Sequence, residues 1–459
     1  MRGGIPAAVG TVGSPLCCTR AMRSKSKQTF ARTCGPAPFS RHSLPSCMHI
    51  LFLGNYFPPE VNAPATRTAE HARQWVDDGH TVDVLTSVPN FPEGEVYAGY
   101  ENRLTLEEHD GVRAVRVPMY VSANEGIFRR TLSYLSFMVA ACWYARYLDT
   151  PDVVVATSPQ FFAGLAGWWV AWRKQAPFVL EIRDLWPESV VAVGAMGRNP
   201  IIRFFEWVEA RLYTAADCIV AVTDAFKEAI AEKGIAPDKI AVVKNGIDPR
   251  RWDGPLDEQR LEALRRTHAL EGRFVASYIG TVGLAHRADV MLEAAARCED
   301  PDIVFMVVGT GAAWDTLKAQ QEALQLDNVR LVEKVPKETV PYLLDLSDAS
   351  VVHLRDTPLF ETVIPSKMFE AMATGTPVVL GVRGEARDIM ETAGAGLSVP
   401  PEAPEALVEA VQRLKASPSL QEDLAANGQR HVRAHYDRQA LARRYASLLG
   451  RVASSPTLA

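Results

Sequence analysis

From Met48 onward, short runs of Val, Ile and Leu alternate with longer stretches in which apolar residues recur every three or four positions. Runs at 49–53, 81–86, 114–118, 153–156, 178–182 and 218–222 have the length and composition of strands. The stretches at 63–78, 129–148 and 200–214 have the helical period. Such alternation predicts βαβ units and a parallel sheet. A turn-forming segment, Lys244-Asn245-Gly246-Ile247-Asp248-Pro249, interrupts it, and residues 250–272 are charged and broken by Gly254-Pro255. The pattern then resumes, with strands at 274–279, 303–308, 329–332, 349–353 and 377–380. Helices are expected at 288–297, 312–324, 340–346, 366–374, 405–416 and 438–452. The fold class is therefore α/β, with two facing doubly wound, Rossmann-like domains over 48–245 and 246–436. A terminal helix within 437–459 is expected to pack back on the first. Ligands of such sheets sit beyond the carboxyl ends of the strands, so the cleft between the domains is the expected site.

Residues 1–47 do not share the pattern. They hold seven Lys/Arg, no Asp or Glu and no sustained apolar period. They read as a disordered basic leader, or as an upstream extension ahead of a start at Met48. Without the leader's cations, the 49 basic and 54 acidic residues of the chain become a net charge of −12. An acidic body argues against nucleic acid as a partner. Four of the seven cysteines lie in the leader, and Cys142, Cys218 and Cys298 form no C-x-x-C or zinc spacing. Scattered cysteines suit a reducing, cytoplasmic compartment. The charge-free run at 131–145 is too short to span a membrane. The one at 153–172 parses as a strand followed by a helix, a buried α/β unit.

Five segments carry candidate chemistry. The first, from Gly54 through Asn55, Pro58, Pro59 and Glu60 to Arg67, is about twice as long as a plain strand-to-helix connection. It lacks G-x-G-x-x-G and Walker A patterns, which argues against a dinucleotide site. Arg67 falls in the first turns of a helix whose start suits an anion. In the second, Arg183 and Asp184 end the strand at 178–182, ahead of Leu185-Trp186-Pro187-Glu188. A surface ion pair needs no function, but a strand's carboxyl end marks a site. The third, Gly280-Thr281-Val282-Gly283-Leu284-Ala285-His286-Arg287, offers glycine backbone for close approach of a phosphate, with His286 and Arg287 as nearby cations. The fourth, Gly309-Thr310-Gly311, lets a planar base pass close to the main chain. The fifth is Pro365-Ser366-Lys367-Met368-Phe369-Glu370, in a helix ending at Gly375. Ser366 is expected to cap this helix, which puts Lys367 at its first position. A cation there opposes the helix dipole. A bound diphosphate explains it, because N–H groups and ammonium then converge on one anion. Glu370 falls one residue past the capping-box position.

With these segments the chain resembles glycosyltransferase family 4, retaining nucleotide-sugar transferases of the GT-B fold. Tyr56-Phe57-Pro58-Pro59-Glu60, Asp184-Leu185-Trp186-Pro187-Glu188 and the fifth segment look like the amino-sugar transferase branch that builds bacterial O-antigen and capsule. The resemblance implies that the second domain binds a nucleoside-diphosphate sugar, UDP-linked. Glu370 matches the ribose-binding second Glu of the family's E-x7-E motif, Gly309 and Gly311 the loop near the base, and Gly280 the opening of the diphosphate loop. Four positions depart from the pattern. Thr362 stands for the first Glu, Thr281 and His286 for the diphosphate-clamping Arg and Lys, and Arg183 for the catalytic-region His. Lys367 and Arg287 are expected to restore the lost positive charge.

The resemblance also implies that the first domain holds the acceptor and that the Gly54-to-Arg67 loop closes over the diphosphate. The acceptor is a glycan or a polyprenyl-diphosphate-linked sugar, no metal or other cofactor is needed, and the product enters cell-surface polysaccharide. Asp184 is the candidate for orienting the acceptor. The apolar stretch at 127–148, flanked by Arg129 and Arg130, suits peripheral contact with the inner face of the cytoplasmic membrane, and suits a core helix equally. Two other readings fit the architecture. One is a nucleotide-sugar epimerase, with Asp184, Glu361 and His353 as its few acid–base candidates. The other is a non-catalytic nucleotide-sugar-binding partner.

Overall fold

Runs of β-branched residues buried on both faces become central parallel strands, and the amphipathic stretches between them become the covering helices. The structure, a computed structural model, describes residues 47–454 except 92, 123–126, 159–160, 193–196, 198 and 253. The basic leader expected at the amino end lies, but for Cys47, outside the described residues.

The first half contains β1 (His49–Leu53), α1 (Ala63–Asp77), β2 (Thr81–Ser87), β3 (Thr105–His109), β4 (Val112–Val117), α2 (Ile127–Ala145) and β5 (Val153–Thr157). It continues through α3 (Phe161–Lys174), β6 (Phe178–Ile182), α4 (Glu188–Ala192), α5 (Pro200–Ala215), β7 (Cys218–Ala221), α6 (Asp224–Glu232) and β8 (Ile240–Val242). The strands form one sheet in the order β3-β4-β2-β1-β5-β6-β7-β8, with β3 alone antiparallel to its neighbour. The sequence pattern did not mark β3. Its residues, TLEEH, are polar and only half-buried at an edge, so they lack a core strand's signal.

The second half contains α7 (Glu258–Thr267), β9 (Phe274–Ile279), α8 (Asp289–Arg297), β10 (Ile303–Val308), α9 (Trp314–Leu324), β11 (Val329–Val332), α10 (Val340–Asp345) and β12 (Ala349–His353). It ends with α11 (Ser366–Thr374), β13 (Val378–Gly381), α12 (Glu385–Ala393), β14 (Gly396–Ser398), α13 (Pro404–Ala416), α14 (Pro418–His435) and α15 (Arg438–Ser454). Its six parallel strands run β11-β10-β9-β12-β13-β14.

The chain passes between the halves twice, and the two crossings touch. Ile247 N–H donates to the Tyr436 carbonyl and Arg438 N–H to that of Ile247, both at 2.9 Å. α15 then lies against the first sheet. Leu441, Ala442, Tyr445 and Leu449 share a core cluster with Phe52, Trp75 and Val84, and Trp75 Nε1 donates to the Ala442 carbonyl at 2.9 Å. Among the described residues no helix is long and apolar enough to cross a membrane.

Candidate active site in the interdomain cleft

Loops after β9 and β10 form the second domain's wall. Gly280 (φ 142°) and Gly309 (φ 149°) hold conformations that only glycine adopts readily. A Cβ on Gly309 would strike the Gly280 carbonyl, and one on Gly280 would strike the Lys367 side chain. Packing of loop on loop accounts for Gly309, and Gly311 abuts the Val282 carbonyl in the same way, whereas Gly280 makes room for a side chain of α11.

The space kept open at Gly280 is filled by the Lys367 side chain. Its Nζ lies 3.8 Å from the centroid of the Tyr278 ring and donates to the Tyr278 hydroxyl. That hydroxyl donates to the Thr281 carbonyl at 2.6 Å. Burial pushes the Lys367 ammonium down to about 7, and Glu370 offsets only part of this. Burial and the Lys367 charge push His286 down to about 4, so its ring is neutral at pH 7. The His286 Nδ1 is buried with no hydrogen-bond partner. His353 joins the loop to its surroundings. Its Nδ1–H donates to the His286 carbonyl at 3.1 Å, and its Nε2 accepts from Glu402 N–H at 2.8 Å. Thr281 and Ser366 are exposed. Glu361 is exposed, and the Thr362 hydroxyl donates to the Leu359 carbonyl at 2.6 Å.

Two sequence expectations are corrected here. Ser366 is not the cap of α11: Pro365 holds that place, with φ −67° and no side-chain capping bond. Ser366 is the first helical residue, Lys367 the second and Glu370 the fifth, because proline's fixed φ sets the entry to the helix. Gly375 does end the helix, at φ 80°. Nor does Arg287 lend free charge to the loop. Its guanidinium lies against Asp289 at 2.9 Å, Glu293 at 3.8 Å and Glu402 at 2.5 Å, which neutralise it.

On the first domain's wall most charges are spoken for. Arg67 is buried; its Nε donates to Glu181 at 2.8 Å, Nη1 to the Lys244 carbonyl and Asn245 Oδ1, and Nη2 to the Val243 carbonyl. It straps α1 to the crossing segment, so its expected place at a free anion site is corrected. Glu60 accepts the N–H groups of Asn90, Phe91 and Phe57. Burial nevertheless pushes its carboxyl up to about 7. Arg116, wholly buried, donates to the Pro58 and Ser87 carbonyls and to Glu107. The loop from Gly54 is thus tied from within, with Pro59 exposed. Asn55 Oδ1 is buried and unpartnered. Asn55 lines a small, partly open cavity with Tyr56, Asn90, Arg130 and Tyr134.

Arg183 and Asp184 form no ion pair and part company. Asp184 accepts from the Ser189 hydroxyl at 2.9 Å, its carboxyl is pushed up by burial, and it lines a small, partly open cavity with Trp186, Glu209 and Tyr213. Arg183 Nε and Nη1 are buried without partners. Burial pushes its guanidinium down to about 10, against the attraction of Glu181 and with the repulsion of Arg67 and Arg438.

The walls face each other closely. Leu359 and Val363, just ahead of α11, pack on the first domain's core. Lys337 Nζ lies 3.5 Å from Thr66 Oγ1. Arg438 joins the two sides: it donates to Glu70 and to the Gly246 carbonyl, and its charge acts on both Arg183 and Glu370. Sequence reading missed Arg438, Arg116 and Tyr278. Nothing local marks them, since their roles come from contacts far along the chain. Among the described residues no group of three or more His, Cys, Asp or Glu is placed to hold a metal ion.

A model of the glycosyl transferase 4-like domain matches residues 62–246, and one of the glycosyl transferases group 1 matches residues 261–431. The chain belongs to glycosyltransferase family 4. This glycosyltransferase is 24% identical over 375 residues to WcaI of Escherichia coli (strain K12), named as a colanic acid biosynthesis glycosyl transferase; the match covers 80% of this chain and 92% of that one. It is 28% identical over 209 residues to TuaH of Bacillus subtilis (strain 168), named as a teichuronic acid biosynthesis glycosyltransferase, over 44% of this chain and 49% of that one. Among solved structures, Anabaena Alr3699/HepE in complex with UDP and glucose superimposes with a TM-score of 0.66 at 18% identity, covering 88% of this chain and 99% of that one. That likeness shows the fold, and the fold of this glycosyltransferase is GT-B.

Proposed function

We propose that this glycosyltransferase moves a sugar, with retention, from a UDP-linked donor held by the second domain to an acceptor held by the first. The observation that carries the reading is Lys367. It is a desolvated ammonium beneath the Gly280 loop, hydrogen-bonded to a tyrosine hydroxyl rather than paired with a carboxylate. Burying an ammonium in this way is costly, and a diphosphate above Gly280 and Thr281 would offset that cost. Arg183, with two unpartnered nitrogens, is the matching cation of the opposite wall.

As the bond from sugar C1 to the diphosphate oxygen breaks, negative charge grows on the leaving group, and preorganised cations stabilise it. The acceptor hydroxyl forms its bond to C1 on the same face and gives its proton to a diphosphate oxygen. The two cations take the charge that a divalent metal would otherwise carry. Glu370, half-buried on α11, would hold the ribose; Gly309 and Gly311 would shape the base pocket. Asp184 would orient the acceptor, and the Gly54-to-Arg67 loop would frame it. The names of WcaI and TuaH support an acceptor in cell-surface polysaccharide synthesis. We take this acceptor to be a glycan or polyprenyl-diphosphate-linked sugar at the inner face of the cytoplasmic membrane, reached through the 127–148 region.

The test is incubation of the pure protein with labelled UDP-sugars. Slow donor hydrolysis, accelerated by an acceptor, supports the reading. Interconversion of the sugars, or binding without turnover, would overturn it.

A further inference from the structure

α2, α3 and α5 lie side by side on one face of the first sheet. Their inner residues, among them Phe137, Ala141, Ala163, Val170 and Leu212, belong to one core cluster. Their outer sides are uncovered and aromatic. Trp143, Tyr147, Trp172, Phe204 and Trp207 are 56, 69, 70, 56 and 55% exposed, and Trp168 and Trp169 are 41 and 39% exposed. A single exposed aromatic is ordinary. Five of the chain's nine tryptophans on three neighbouring helices are not. The sequence suggested a buried strand-and-helix unit at 153–172; the structure buries the strand and one side of α3.

The charge on this face opposes that of the molecule. α2 and α3 carry exposed Arg129, Arg130 and Arg173, half-buried Lys174, whose ammonium donates to the Leu148 carbonyl, and no acid; Arg146 follows α2 directly, with exposed Asp149 three residues on. α5 adds Arg203 and Arg211 against exposed Glu206, its other acid, Glu209, being buried and paired with Lys233. The cations are interleaved with the rings. Arg146 lies 3.3 Å from the Trp143 ring centroid, and Arg211 5.3 Å from that of Trp207. Tryptophan beside Arg or Lys is the chemistry of a bilayer's headgroup layer, and a basic face on an acidic body selects an anionic one.

We infer that the outer face of α2, α3 and α5 docks flat on the headgroups of an anionic bilayer. This rests on the reading of a lipid-linked acceptor and deepens it. α2 also lines, through Arg130 and Tyr134, the cavity beside Asn55, so an acceptor carried in the membrane reaches the cleft along the docked helix.

The test is flotation of the full chain with phosphatidylglycerol-containing vesicles and with pure phosphatidylcholine vesicles, without nucleotide or acceptor. The protein is expected to float with the anionic vesicles only, to detach as salt rises, and to show tryptophan quenching by brominated acyl chains. Arg146→Glu/Arg173→Glu and Trp143→Ser/Trp172→Ser should each weaken binding at least about tenfold with melting temperature and donor hydrolysis unchanged. Three results would overturn the inference: no binding to anionic vesicles, equal binding to both vesicle types that neither variant disturbs, or a dimer in solution that the tryptophan variant dissociates. Failure here with transfer to a water-soluble acceptor intact removes the docking face alone. Flotation without any transfer keeps the docking face and removes the transferase reading.

Discussion

Arg67 and Lys367 sit on opposite walls of one cleft, each near the start of a helix, and each was a candidate for the same anion. Arg67 is largely satisfied: Glu181, two carbonyls and an amide oxygen take four of its five N–H donors. Lys367 has a ring, a hydroxyl and only the partial field of Glu370. The difference separates scaffold from site. A charge whose partners are built into the fold holds the fold together, whereas a charge left short of partners is available to a ligand. On the first wall Arg183 is also left short of partners, and on the second Arg287 is ringed by carboxylates.

The largest effect expected from this contrast is on stability. Arg67→Met leaves Glu181 buried without its partner, which should cost about 3–5 kcal/mol, read from urea unfolding. An unchanged midpoint with weakened donor binding would reverse the roles of the two residues.

Lys367→Met should weaken binding of a UDP-sugar about a hundredfold, the worth of a strong charge-assisted contact, measured by calorimetry. Its stability effect should have the opposite sign to that of Arg67→Met. The ammonium titrates at about 7 in the folded chain against 10.5 for the ordinary group. Between those values the unfolded state holds the extra proton, so this group's contribution to stability rises with pH through that window. Lys367→Met should therefore stabilise the chain more at pH 6 than at pH 9. A lower melting temperature at both would mean that the lysine is itself scaffold.

The same value sets a pH dependence of binding. A diphosphate prefers the protonated lysine, so wild-type affinity for a UDP-sugar should be greatest below about 7. It should then fall by up to about tenfold per unit above that. The Lys367→Met variant should lack this slope, and an identical slope in both proteins would place the titrating group elsewhere. The smallest effect is expected at Arg287. Arg287→Gln loses part-exposed ion pairs worth about 1 kcal/mol or less and should leave donor affinity unchanged. A marked loss of affinity would return Arg287 to the site.

Much of this molecule was legible along the chain. Alternating runs announced both parallel sheets, because a strand buried on both faces and a helix with one buried stripe write their periods locally. The polar edge strand Thr105–His109 escaped, since it buries too little to leave a pattern. Four of the five loop segments directly follow a strand of the two sheets, and the fifth was marked by a cation at the start of a helix. Gly280 was read as an opening for a phosphate and Gly309 as part of an opening for a planar base, yet both abut neighbouring protein. The error at Ser366 has a similar root: capping chemistry was assigned from residue type, but Pro365 controls the turn.

The sequence by itself determined the central strands, most of the helices that cover them, the two-sheet architecture and the family. What only the tertiary structure decided is which charges are already neutralised. Arg67 finds its partners 114 to 178 residues away, Arg287 finds Glu402 across 115, and Arg438 reaches Glu70 across 368. Periodicity is a property of neighbours in the chain. The satisfaction of a buried charge depends on groups brought together only when the sheets and their crossings have packed.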